Sequence, residues 1–150
     1  MLKKLVSSIA AVILLLGCGG GEKSTSGNPK DMSAAIIKDL SLTDKVDEVE
    51  DRVIPGLFFF EQDTVSESSF YAADKLADCV GVFRTSNPES CEKCVRTYLE
   101  TRKAQLEMYA PSEVFKVDNA VIASTDDTVV MIVCDDLESA GKEAKKLLGQ

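Results

Sequence analysis

Five cysteines are the side chains best suited to chemistry in this 150-residue sequence, and it contains no histidine at all. Cys18 closes an apolar run in "ILLLGCGGG", Cys91 and Cys94 form a C-x-x-C pair in "CEKC", and Cys79 and Cys134 stand singly in apolar surroundings. A thiol in such settings can take a covalent modification, exchange electrons, pair as a disulfide, bind a metal as thiolate, or simply fill space as a small hydrophobe. The elements around each cysteine decide between these.

Lys3 and Lys4 precede Cys18, and Leu5 to Leu16 form a twelve-residue apolar segment. A membrane-spanning helix needs ~20 apolar residues, so the layout is that of a secretory signal. Leu15-Leu16-Gly17-Cys18 resembles a bacterial lipobox, in which the cysteine sulfur takes a diacylglycerol and the chain is cut just before it. The expectation is a signal peptide over residues 1–17 and an acylated, palmitate-bearing Cys18 holding the protein at the extracytoplasmic face of the cell membrane. Each buried CH₂ contributes about 0.8 kcal/mol, and two or more chains anchor stably. The alternatives are an ordinary secreted protein with a chance cysteine, or an uncleaved anchor.

"GGGEKSTSGNPK", Gly19 to Lys30, has no apolar side chain to bury beyond a proline and reads as a flexible tether over residues 18–30. Residues 31–150 then form one small domain. The full chain carries 17 basic and 25 acidic residues; removing residues 1–17 takes away two lysines and no acid, so −8 becomes −10. Such a surface disfavours nucleic acid and anionic polymers as partners. The acidic run Asp44 to Asp51 lacks the spacing of a calcium loop and reads as a solvated face.

Apolar residues at 32, 36, 37 and 40 predict a short amphipathic helix. Ile54-Pro55-Gly56 reads as a break, and Phe58-Phe59-Phe60 as an extended segment with rings on both faces. Those rings suit a core first and a ligand groove second. "SSFYAA" and "DCVGVFRT" predict two strands. Asn87-Pro88 supplies a cap and a first-turn proline for a helix over 88–109, which Pro111 ends. On it, Cys91, Cys94, Val95, Tyr98, Leu99, Leu106 and Tyr109 fall toward one side. "VDNAVIAS" and "TVVMIVC" predict a hairpin around "TDD", and a last helix carries Leu137, Ala140, Ala144, Leu147 and Leu148 on one stripe.

This order predicts an α+β two-layer sandwich: a roughly four-stranded antiparallel sheet with helices packed on one face, ferredoxin-like in spirit. The last strand inserts between the two strands of a right-handed strand–helix–strand unit, and "SSFYAA" takes an edge. Gly81 inside a strand signals close helix packing or a bulge.

"CVGVFRT", "VRTYLETRKAQLEMYAPSEVFKVDNAVI" and "TVVMIVCDD" together resemble the domain of unknown function 4358, over roughly residues 54–140. The segment Ser41 to Val53 resembles it less. The resemblance implies a small bacterial lipoprotein with a tethered α+β domain. It implies no activity and assigns no functional residue beyond Cys18.

For the other cysteines three readings stay open, with buried free thiols favoured. Cys79 begins one strand and Cys134 ends its neighbour, so they could meet as a disulfide. Cys91 and Cys94 offer a thiol-redox or metal pair, although Cys91 falls four residues into its helix instead of at the cap. Without histidine, nucleophile elbow or phosphate loop, no other catalytic constellation is recognisable and no cofactor is implied. Two functions follow. The first is a lipid-anchored, non-enzymatic module binding an unknown protein or small molecule, through a patch or groove near Phe58 to Phe60 or Tyr71. The second is a membrane-tethered redox or metal protein using Cys91 and Cys94.

Overall fold

The computed structural model of the protein describes residues 27–150. Residues 1–26, with the expected signal segment, Cys18 and most of the tether, lie outside the described residues.

Helix α1 (Pro29–Asp39) opens where Asn28 accepts a hydrogen bond from the Asp31 amide at 2.9 Å and Pro29 occupies the first turn. It thus starts before Met32 and takes in Pro29 and Lys30, which the sequence reading gave to the tether. The two-residue strand β1 (Asp47–Glu48) and the five-residue helix α2 (Ile54–Phe58) follow. Strands β2 (Val65–Ala72) and β3 (Cys79–Thr85) precede the long helix α3 (Pro88–Tyr109). A 3₁₀ turn (Pro111–Glu113) leads into α4 (Val114–Asp118), then β4 (Val121–Ser124), β5 (Thr128–Val133) and α5 (Leu137–Leu147). The first part of "VDNAVIAS" is therefore helical, and only its second half is strand.

The sheet has five antiparallel-paired strands in the order β1-β2-β3-β5-β4. Strand β5 lies between β3 and β4, as expected for a split strand–helix–strand unit. The fifth strand is β1, which pairs only with Tyr71 and Ala72 at the end of β2.

The helices cover both faces, not one. Period-2 alternation sends Val80, Val82, Val130 and Ile132 to a core closed by α1 and α5. It sends Cys79, Phe83, Val129, Met131 and Val133 to a second core closed by α2, α3 and α4. All six residues of β5 are buried, so no polar face remains to meet water. The apolar run Val129 to Val133 within it requires cover on both sides.

The three phenylalanines do not form a strand. Phe58 ends α2 inside the second core, and Phe59 takes the left-handed conformation at φ 53° that caps the helix. That turn swings Phe59 outward to 78% exposure and returns Phe60 against the core. The Phe58 and Phe60 rings stack with centroids 5.2 Å apart, while Phe70, Phe83 and Tyr98 meet Phe58 at 4.5–5.1 Å. Each such pair contributes about 0.5–1.5 kcal/mol beyond area burial.

Gly81 marks neither a bulge nor a helix contact. A Cβ there would stand 2.7 Å from the Phe83 ring, which lies across the glycine, and 3.3 Å from Met131 Cε.

Candidate functional site

All four described cysteines are free. Cys79 pairs with Val133 in the β3–β5 ladder, so Cys134 comes one residue later and enters the opposite core. A one-residue offset reverses the face, so the Cys79–Cys134 bridge, one of the readings left open, is not formed. Cys91 is buried one turn into α3, and burial pushes its thiol up to about 12, with Cys94 and Glu92 adding. Cys94 is half-buried, and its Sγ donates to the Phe59 carbonyl at 3.6 Å. Its thiol is also raised, by burial first and by Glu61 next. Burial likewise pushes Cys79 up to about 12 and raises Cys134. A nucleophilic cysteine needs the reverse, a stabilised thiolate. Among the described residues no group of three or more cysteine, aspartate, glutamate or histidine side chains is placed to hold a metal.

A second charged constellation had no signal in the sequence. Lys116 of α4 is buried and reaches Asp78 at 3.0 Å, Glu113 at 2.9 Å and Asp135 at 3.3 Å. Asp78 stands just before β3 and Asp135 just after β5, so the lysine ties α4 to the ends of the two central strands. Glu113 also accepts from the Ala77 amide at 2.9 Å. Burial alone would lower the Lys116 ammonium, but its bonds to Glu113 and Asp78 outweigh that and hold it protonated. A lysine so held is neither base nor nucleophile at neutral pH. The cluster is a structural clamp.

The concave site lies at the other edge of the sheet. A groove of about 790 Å³ is lined on one side by the start of α1, Asn28 to Asp31, and on the other by Asp51, Pro55 and Phe60 to Asp63. Between them runs the first half of β2, Val65 to Ser68. That volume is in the usual ligand-site range, about 300–1,000 Å³. Pro29, Pro55, Phe60 and Val65 supply apolar surface, and Asp31, Asp51, Glu61, Asp63 and Glu67 supply negative charge. The lysine of the lining, Lys30, is occupied by Glu48 and Asp51, each at 3.2 Å. Glu61, Asp63 and Glu67 are exposed and have no ion pair among the described residues.

Of the phenylalanines singled out from sequence, Phe60 lines this groove, Phe58 belongs to the core and Phe59 points into solvent. Tyr71 is half-buried against the α1–α5 core and does not line the groove. A smaller open depression of about 450 Å³ lies between Leu57 and Arg102. Arg102 is used there structurally, donating to the Leu76 carbonyl at 2.9 Å and the Tyr109 hydroxyl at 2.8 Å. No helix among the described residues is long and apolar enough to cross a membrane.

The profile of the family described as domain of unknown function DUF4358 matches residues 38–134. The match includes Ser41 to Val53, the segment for which a weaker resemblance was expected, and it ends at Cys134. No curated protein matches the chain, and no solved structure does.

Proposed function

This chain belongs to the DUF4358 family, and from that premise we propose that it is a lipid-anchored, extracytoplasmic, non-enzymatic binding module whose ligand enters the acidic groove beside β2. The observation that carries this reading is the pairing of apolar lining at Pro55, Phe60 and Val65 with three carboxylates without an ion pair among the described residues, Glu61, Asp63 and Glu67. Concave, half-apolar surface with a few convergent polar groups is the ordinary form of a binding site. The groove also borders Asn28, at the end of the tether that would leave Cys18. A cationic ligand suits it, because the acidic chain as a whole attracts positive charge and the rim concentrates it.

The redox or metal reading has less behind it. Cys91 is enclosed, and neither thiol of "CEKC" has a neighbour that favours its thiolate enough to offset burial.

Two measurements test the proposal. The intact mass of the full chain extracted from its membrane is expected to show a diacylglyceryl-modified protein starting at Cys18; an unmodified or uncleaved chain overturns the anchor. Amide chemical shifts, followed through a panel of cationic, neutral and anionic compounds, are expected to move at Asp51 and Phe60 to Ser68. Shifts confined to the surroundings of Cys91 and Cys94 would sink the groove reading.

A further inference from the structure

Strand β2 has eight residues but its outer neighbour has two. Strand β1 pairs with Tyr71 and Ala72, and the Val49 amide then donates to the Phe70 carbonyl at 2.9 Å. Beyond that point no described strand follows β2 on this side. The bond to Phe70 establishes that the backbone of residue 70 points outward from the sheet. Alternation gives the same direction to Ser68, and the bulge between Val65 and Glu67 then interrupts the alternation at Ser66. The open edge of β2 at Ser68 therefore lies in the groove, which the start of α1 and the Phe60–Asp63 segment also line.

An unpaired edge is a template for one more strand, and native proteins normally blunt it with lysine, proline or cover. Here Pro29, Pro55 and Lys30 are also in the lining, but Lys30 is paired with Glu48 and Asp51, and the charges left without an ion pair among the described residues include the acidic Glu61, Asp63 and Glu67. From the free backbone edge, the groove walls and the charge we infer that the ligand of this site is an extended basic peptide segment that adds to β2 as a strand, its lysine or arginine side chains reaching Glu61, Asp63 and Glu67. The inference rests on the groove reading above and names its partner. Main-chain hydrogen bonds to β2, centred on Ser68, supply binding energy in this mode, and side-chain positions every second residue supply selectivity. A second copy of this chain is a poorer occupant, because two edges each bearing Glu67 would meet with like charges opposed.

The test uses the full chain in detergent and a decapeptide of alternating lysine and valine. Three companions are an alternating glutamate–valine peptide, a lysine–valine peptide N-methylated at every second amide, and the triple variant Glu61→Gln, Asp63→Asn, Glu67→Gln. The lysine–valine peptide is expected to bind and to slow hydrogen exchange at Ser68. At least about tenfold of its affinity should be lost on N-methylation and again in the triple variant. The acidic peptide should not bind.

Equal binding of the N-methylated peptide overturns strand addition while leaving an acidic binding groove. Slow exchange at Ser68 without peptide, abolished by deleting residues 19–26, overturns it in favour of the chain's own tether. Concentration-dependent dimerisation that protects the same amide overturns it in favour of a second copy. If the basic peptide fails but small cations still shift the groove amides, this inference falls and the binding-module reading stands. If nothing shifts them, both fall.

Discussion

Cys79 and Cys134 sit at adjoining ends of β3 and β5 yet leave the sheet on opposite faces, because Cys79 pairs with Val133. Each thiol ends in a different core, Cys79 against α3 and Cys134 against α5. Their burial makes a direct expectation about reactivity. In native protein at pH 8, iodoacetamide should modify Cys94 first and slowly, because it is the least buried of the four and its thiol is still raised. Cys79 and Cys91, both pushed up to about 12, should react only after denaturation. Mass spectrometry of peptides alkylated with and without denaturant reads this. Rapid native labelling of Cys91 would falsify the buried-thiol assignment.

Lys116→Ala should destabilise the domain by about 3–5 kcal/mol, since it strands a fully buried carboxylate at Asp78. Asp78→Asn added to Lys116→Met should recover part of that loss, because the neutral amide leaves no uncompensated charge. Denaturant midpoints of the single and double variants measure the coupling. Equal midpoints for wild type and Lys116→Ala would mean that the clamp contributes nothing.

Acid should loosen the same cluster. Burial would raise the Glu113 carboxyl, but the Ala77 amide and Lys116 outweigh it and hold it below the usual range. Burial is likewise outweighed at Asp135 by Lys116 and Lys45. Both groups are therefore harder to protonate folded than unfolded. Their stabilisation is present above the ordinary carboxyl values of about 4 and is lost as pH falls through the lowered folded values. Urea unfolding between about pH 7 and pH 3 should show stability falling at the acid end. Lys116→Met should flatten that fall.

Gly81→Ala should cost about 1–3 kcal/mol, as typical of overpacking. The added methyl meets a Phe83 ring that is itself fully buried and held by Phe58 and Phe60 at 4.9 and 5.2 Å. Phe83→Leu in the same chain should make the alanine cheaper than it is alone. Thermal unfolding of the two single variants and the double variant tests for that coupling.

The sequence made the central architecture legible where local signals were strong. Asn87-Pro88 and Pro111 bracket α3 as expected, and "CVGVFRT" and "TVVMIV" are the two central strands. The same cap signal occurs at Asn28-Pro29, and reading it there would have started α1 three residues before Met32. Helices on both faces were also readable in principle. The six apolar or small residues of β5 show no polar alternation, which two-sided burial explains. The phenylalanine run was misread because a left-handed Phe59 has no sequence signal; helix caps of that kind are usually glycine. Neither the Lys116 clamp nor the groove had a local signal. Lys116 and Asp78 are 38 residues apart and meet only through the packing of α4 on the sheet. The groove likewise depends on how short β1 is, and a two-residue strand is beneath the reach of periodicity.

The two cores also differ in when they can close. The first is sealed by α1 and α5, the opening and closing helices of the described chain, joined by Lys146 and Asp39 at 2.9 Å. The second needs nothing beyond β5. A chain emerging from its amino end can therefore assemble the aromatic half of its interior while the other half still awaits its last helix. Loss of residues beyond Asp136 would uncover the β4–β5 part of that core, around Val130 and Ile132, an aggregation-prone surface of the kind that folding intermediates expose. Docking of α5, and not the first collapse, is the step that closes this other half of the interior.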